Sequence, residues 1–157
     1  MVGLIRALAT EIRNAVENYK LGSDKQEPKA ISVYEQFIPR AHLDDPRGHF
    51  HPLIVVQCAS LSDELEGTTA EMTLTFGVYD ESRIESDGRL NEPWVDLLNV
   101  METVRLRLLS KAVIGGRYRL LKPLESEIAE VQPAPFYYGQ MTARYYIYQA
   151  DEGRKAI

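Results

Sequence analysis

The fold is decided by the stretch Ala70-Glu71-Met72-Thr73-Leu74-Thr75-Phe76-Gly77-Val78, in which apolar and polar residues alternate. Alternation with a period of two predicts a β-strand that buries one face and exposes the other. The predicted inward residues are Ala70, Met72, Leu74, Phe76 and Val78, and the predicted outward residues are Glu71, Thr73, Thr75 and Tyr79.

This strand is preceded by the run LIVVQCA at residues 53–59 and by a polar turn at residues 63–67. A run that is apolar at nearly every position suits a central strand covered on both faces. Two consecutive strands joined by a short turn should pair antiparallel. Further strands are predicted at residues 30–38, 118–124 and 141–149, with Ile31, Val33 and Phe37 facing inward in the first of them.

Two amphipathic helices are predicted to cover the sheet. The first ends near Gly22 and has one apolar face, made of Leu4, Ile5, Leu8, Ile12, Ala15, Val16 and Tyr19. Glu11 is assigned to its opposite, solvent-facing side. The second helix begins at Pro93, and Gly115-Gly116 should supply the left-handed cap that ends it. Its predicted buried stripe is Trp94, Leu97, Leu98, Met101, Val104, Leu108 and Ala112.

These elements describe one α+β domain over residues 1–150. We expect a single-layer mixed or antiparallel β-sheet, with the N-terminal helix and one long central helix packed on it. A chain of 157 residues buries enough surface for one core. Residues 39–52 contain three prolines and no apolar period, so an extended loop or arm is expected there. Residues 151–157 are expected to form a flexible C-terminal tail.

Composition limits the possible environments and partners. Cys58 is the only cysteine, so no disulfide forms within the chain, and a buried, inert thiol is expected. Residues 1–9 lack the features of a secretory signal, and no stretch reaches the roughly 18 apolar residues of a membrane span. We therefore expect a soluble, unprocessed protein of a reducing compartment with no membrane partner. The net charge of -5 opposes non-specific attraction to nucleic acid.

The charges are segregated along the chain. Residues 61–96 contain ten Asp or Glu against Arg83 and Arg89, whereas residues 105–122 contain six Lys or Arg and no acid. A subunit with one acidic and one basic region can bind copies of itself head to tail, in contacts that close into a ring when the rotation permits. Two merely solvated faces are the alternative interpretation. The charged residues of the candidate assembly or lumen surface are Asp80, Glu81, Arg83, Glu85, Asp87, Arg117 and Arg119.

Three consecutive aromatic residues follow two prolines in the segment Pro133-Ala134-Pro135-Phe136-Tyr137-Tyr138-Gly139. On a loop, these rings would offer rigid apolar contact area at small entropic cost. A plug that fills the core at the edge of the sheet is the alternative. Phe136, Tyr137 and Tyr138 are therefore added to the candidate assembly surface.

Catalytic and cofactor chemistry finds little support in the sequence. A small metal-dependent enzyme could be built on His42, Asp44, Asp45, His49 and His51, because imidazoles and carboxylates together can hold a first-row metal. No cysteine and no helical His-x3-His pair fixes such a geometry, so an exposed, pH-sensitive polar loop is favoured. Nucleophile-elbow and phosphate-loop motifs are absent from the sequence. We predict no enzymatic activity, no cofactor and no metal.

Part of the chain resembles a known family. The resemblance spans residues 50–149 and rests on the order of four segments: MTLTFGVYD at 72–80, WVDLLNVME at 94–102, VIGG at 113–116 and QPAPFYYGQM at 132–141. In this order of strands and helix the chain is similar to the tail terminator, or tail completion, proteins of long-tailed bacteriophages and prophages.

The resemblance implies a mechanical role in a virion. Such subunits form a ring, commonly a hexamer, that caps the finished tail tube, stops its polymerisation and joins it to the head. The implied partners are copies of the same chain, the tail tube protein and a head completion or connector protein, while DNA passes through without being read. The implied place is the head-proximal end of the tail, after assembly in the host cytoplasm. Another head-tail connector or a tail tube subunit is the alternative.

The resemblance also gives the acidic segments a possible place. An acidic channel wall would keep a moving polyanion from sticking, because like charges repel. We therefore expect the loop at residues 80–87 or the turn at residues 63–66 to face the channel or the tube below it.

Overall fold

The structure, a computed structural model, describes residues 1–21, 29–38, 51–80, 92–130 and 135–148. The predicted arm at residues 39–52 lies largely outside these ranges, and the predicted tail lies wholly outside them. Two helices are described, α1 (Val2–Val16) and α2 (Glu92–Ser110). The strands are β1 (Lys20–Leu21), β2 (Lys29–Ala30), β3 (Ser32–Glu35), β4 (Leu53–Asp63), β5 (Gly67–Tyr79), β6 (Val113–Ile114), β7 (Tyr118–Ile128) and β8 (Phe136–Tyr148).

Six of these strands form one mixed sheet in the order β3-β4-β5-β8-β7-β6. β3 runs parallel to β4, and every other neighbouring pair is antiparallel. β1 and β2 form a separate two-stranded antiparallel pair. The predicted α+β fold, with a mixed sheet, an N-terminal helix and a long central helix, is confirmed.

Strand β5 organises the core, as its alternation predicts. All five predicted inward residues of β5 are buried, and its predicted outward residues are only partly buried. β8 pairs with β5 along its whole length and β4 pairs with it from Thr68 to Gly77, so the inward side chains from Ala70 to Phe76 have a paired strand on both sides. The antiparallel pairing of β4 with β5 through a turn after Asp63 is also confirmed.

Both helices pack on the same face of the sheet and share one apolar core. From α1 the buried residues include Leu4, Leu8, Ile12 and Val16, and from α2 they include Leu97, Val100, Met101, Val104 and Leu108. The predicted stripe of α2 is wrong at two positions, because Leu98 is exposed and Ala112 lies beyond the end of the helix at Ser110. α1 likewise ends at Val16, well before Gly22.

Gly115 and Gly116 do adopt the predicted left-handed backbone, with φ of 58° and 71°. They do not cap α2, however. They form the turn between β6 and β7, in which the Arg117 amide donates to the Ile114 carbonyl at 3.2 Å. Two residues with positive φ suit a hairpin turn as well as a helix end, so the glycine pair alone could not separate the two structures.

Three strand predictions differ from the structure. β7 extends to Ile128, and β8 begins at Phe136, so the predicted aromatic loop is a strand. β3 ends at Glu35 because Gln36 takes a left-handed backbone with φ of 67°, and Phe37 is consequently exposed instead of inward.

Cys58 is half-buried, with its thiol 3.7 Å from the Ser60 carbonyl oxygen.

The deepest aromatic residue is Tyr145, whose side chain is fully buried in β8. Its hydroxyl makes no hydrogen bond to any described residue. Burial raises the pKa of Tyr145, and the nearby Glu11 carboxylate raises it further. The hydroxyl therefore loses its hydrogen bonds to water on folding and forms no protein hydrogen bond, in the described part of the chain, that would compensate for them.

Replacing Tyr145 by phenylalanine is expected to leave the free energy of unfolding unchanged or to raise it by up to about 1 kcal/mol. Urea denaturation would measure this change. Tyr146→Phe is the matched control, because the Tyr146 hydroxyl donates to the Glu66 carbonyl at 2.6 Å and its loss should destabilise the fold. A Tyr145→Phe protein that is the less stable of the two would contradict the prediction.

Candidate assembly surface

The face of the sheet opposite the helices, called here the open face, carries no helix within the described residues. Strand register places its side chains in rows that cross β4, β5, β8 and β7. Two central rows are Val55, Thr75, Gln140 and Glu127, and Gln57, Thr73, Thr142 and Glu125. The middle of the open face thus has uncharged polar side chains on β5 and β8, two acids on β7, and Val55 beside Gln57 on β4.

An aromatic cluster, formed by His51, Tyr79, Phe136 and Tyr138, occupies one end of the open face. The rings of Phe136 and Tyr138 are stacked with centroids 6.2 Å apart, and the His51 ring lies 5.0 Å from Phe136. His51 Nε2 lies 3.2 Å from the Tyr138 hydroxyl. A Cβ on Gly77 would lie 2.8 Å from the Tyr138 ring, so only glycine leaves room for this ring.

Tyr137 points to the other side of the sheet. Its ring contacts that of Trp94 from α2, with the centroids 5.7 Å apart. Each of the two alternatives for the aromatic segment therefore describes part of it. Tyr137 packs against the core, while Phe136 and Tyr138 are half-buried on the open face.

Asp80 directly follows β5 and is buried, with 7% of its surface exposed. Its amide donates to the Pro135 carbonyl at 2.9 Å, which ties the end of β5 to the start of β8. Asp80, a member of the candidate assembly or lumen surface, is therefore not exposed to solvent. The other acidic-loop candidates, Glu81, Arg83, Glu85 and Asp87, lie outside the described residues.

Arg117 and Arg119 are exposed cations of the basic segment and lie at the start of β7. The Arg117 guanidinium lies 5.4 Å from the centre of the Tyr118 ring, and neither arginine pairs with an acid among the described residues. Three other cations of the basic segment form ion pairs within the chain. Arg105 pairs with Glu102, and both Arg107 and Lys111 pair with Glu11.

The turn between β4 and β5 forms an acidic tip made of Asp63, Glu64, Leu65 and Glu66. All four residues are exposed, and Leu65 is fully so. Internal hydrogen bonds fix this tip: Thr68 donates to Asp63 at 2.7 Å, and the Glu64 amide donates to the Gly67 carbonyl at 2.7 Å. The sequence signal of Leu65, an apolar residue between two acids in a turn, was not used in predicting the surface.

The described residues provide no support for metal chemistry. Over residues 1–21, 29–38, 51–80, 92–130 and 135–148, no group of three or more His, Cys, Asp or Glu could hold a metal ion. His42, Asp44, Asp45 and His49 lie outside these ranges, and His51 packs within the aromatic cluster.

A concavity of about 320 Å³ on the sheet is lined by polar residues, namely Glu125, Ser126, Glu127, Gln140 and Thr142.

Within the same described ranges, no helix is both long and apolar enough to cross a bilayer.

Comparison with known proteins adds one finding at the level of fold. No protein-family model matches the chain, and no curated protein matches it. Among solved structures, the chain is similar to a chain from the virion of a native gene transfer agent particle. The two share 11% sequence identity and superpose with a TM-score of 0.52, over 93% of this chain and 95% of the other. At this identity the likeness shows a shared fold.

Proposed function

We propose that this chain is a structural protein of a phage-like virion, and that within the virion it is the tail terminator. In this role the chain forms a ring, commonly six-fold, that caps the finished tail tube, stops its polymerisation and joins it to the head. One observation carries the proposal: the fold is shared, over nearly the whole of both chains, with a chain from a gene transfer agent virion.

The surface supports an assembling role over a catalytic one. The exposed arginines at the start of β7 and the acidic tip carry opposite charges, and both remain free of ion pairs with other described residues. Opposite charges on separate parts of one subunit favour head-to-tail contact between copies. The further partners proposed for the ring are the tail tube protein and a head completion or connector protein.

The open face suits a channel wall for DNA. Its central rows combine threonine and glutamine with Glu125 and Glu127, and the nearest described arginine on this face, Arg144, lies 3.5 Å from the Glu71 carboxylate. The two central rows contain no cation that could release counterions from DNA, so DNA would slide past them without being read. The chain would then sit in the virion at the head-proximal end of the tail.

Deleting the gene is expected to give particles without functional tails, either tailless or with overlong tubes, because the tube loses its stop signal. Electron microscopy of the particles would measure tail length, and expression of the intact chain in trans should restore it. Tails of normal length and number would reject the proposal.

Immunogold labelling of intact particles separates the terminator from its alternatives. Label confined to the head-proximal end of the tail is expected. Label along the whole tail would identify a tube subunit instead, and label on tailless heads would identify a head connector.

A further inference from the structure

The outer half of β4 is an open edge in the described part of the fold. β3 pairs with β4 only as far as Val56. The next backbone donor on that edge, the Cys58 amide, donates to the Gln36 side-chain oxygen at 3.0 Å. Beyond this point no described strand lies beside β4, and residues 59–63 are all exposed. Their backbone groups on that side are free to pair with another strand.

The sequence of this edge lacks the usual protection against pairing. Residues 59–62 read ASLS, with no proline and no charge, and Leu61 is 51% exposed. The outer edge of β7, by contrast, carries Pro123 and is flanked by Lys122, Glu125 and Glu127. Prolines and charges keep edge strands from pairing, and β7 carries both whereas residues 59–62 carry neither. The open half of β4 begins at a register shift between Cys58 and Ser60, beyond which its pairing with β5 is regular.

The opposite border of the sheet has a second open edge. It is β6, a two-residue strand that pairs with β7 on one side and with no described strand on the other. Val113 is 41% exposed there, although it is a large apolar residue. Both borders thus present backbone groups together with an exposed aliphatic side chain.

The two open edges lie at the same level of the sheet. Register connects them through one row: Ser62, Thr69, Tyr146, Arg119 and Val113. β4 and β6 also run in the same direction. Four antiparallel pairings in succession, β4 with β5, β5 with β8, β8 with β7 and β7 with β6, separate them, and an even number of reversals restores the direction. A ring closes by rotation without translation, so edges at equal height are what head-to-tail closure requires.

The charges beside the two edges are opposite. The acidic tip adjoins the open end of β4, and Arg117 and Arg119 adjoin β6. We propose, as a deepening of the proposed ring function, that the outer half of β4 in one copy pairs in parallel with β6 of the next copy. The sheet thereby continues from subunit to subunit, and the acidic tip of one copy contacts the two arginines of its neighbour.

Complementary charge reversal tests this contact. Glu64→Lys/Glu66→Lys and Arg117→Glu/Arg119→Glu each bring like charges together, and each alone should raise the dissociation constant of assembly at least about tenfold. An equal mixture of the two variants should assemble again, because every junction in an alternating ring then joins opposite charges. Sedimentation velocity measures the mass, and circular dichroism confirms that both variants fold.

Glu125→Lys/Glu127→Lys is the matched control, since it makes the same charge change on the proline-containing strand β7 and should leave assembly intact. Cross-linking adds a direct test of the edges. On a Cys58→Ser background, Ser62→Cys in one copy and Val113→Cys in another should be joined by a short bismaleimide.

The outcomes separate the edge pairing from the proposed function. If the wild-type chain assembles and neither reversal weakens it, or if mixing fails to restore assembly, the edge pairing is overturned while the ring function stands. A wild-type chain that assembles neither alone nor in the particle overturns both.

Discussion

Replacing Phe76 by alanine is expected to lower the free energy of unfolding by about 3–5 kcal/mol. Phe76 is 1% exposed and lies on β5 between two paired strands, opposite Ile54 of β4 and Gly139 of β8. Removal of its ring leaves a cavity that the flanking β4 and β8 cannot close without breaking their ladders. Urea unfolding followed by far-UV circular dichroism would measure the loss.

Thr75→Ala is the matched control for this prediction. Thr75 is the adjacent residue of the same strand, but its side chain lies on the open face and is only partly buried. Its replacement should therefore cost well under 1 kcal/mol. Equal losses at Thr75 and Phe76 would mean that the two faces of the sheet are assigned wrongly.

Phe76 was predictable because strand alternation is a local signal. Each residue of β5 reports its own face through its own polarity, and the sheet then needs only a partner on each side. The buried faces of the helices were harder to predict. α2 contacts both the sheet and α1, so its buried arc includes Val100 as well as the predicted Leu97 and Met101, and it leaves Leu98 exposed.

Features that depend on how elements meet were the ones that the sequence left undetermined. The glycine pair Gly115-Gly116 predicts a left-handed backbone, but whether it ends a helix or turns a hairpin depends on the chain that follows. The aromatic segment looked like a loop because of its prolines, yet register with β5 makes Phe136 and Tyr138 strand residues on the open face.

The candidate surface was predictable in its charges and not in its geometry. Segregation of charge along the chain indicated the acidic turn and the exposed residues Arg117 and Arg119. That both lie at one end of the sheet, beside two open edges at the same height, follows only from the pairing of five strands. Asp80 shows the converse, since it was assigned to the candidate surface from its charge and its side chain is buried.

Glu11 is the residue for which helical periodicity was most misleading. Its place in the sequence assigned it to the solvent face of α1, but its side chain is only 8% exposed. Arg107 donates to it at 3.0 Å and Lys111 at 2.6 Å, so this carboxylate joins α1 to the end of α2. Burial alone would raise the pKa of Glu11, and the hydrogen bonds from Lys111 and Arg107 outweigh it and lower the pKa below its ordinary value of 4.5.

Glu11→Gln is therefore expected to lower the free energy of unfolding at neutral pH by about 2 kcal/mol, the usual contribution of hydrogen bonds to a charged group. Because the folded pKa is lowered, the carboxylate stabilises the fold fully above its ordinary pKa and loses that contribution as pH falls through the folded value. Unfolding curves of wild type and variant should thus converge in acid. Glu102→Gln, which removes an exposed pair with Arg105, should change neither stability nor its pH dependence noticeably. A constant gap between wild type and Glu11→Gln from neutral to acid pH would contradict the prediction, because it would show that the loss does not come from the ionised carboxylate.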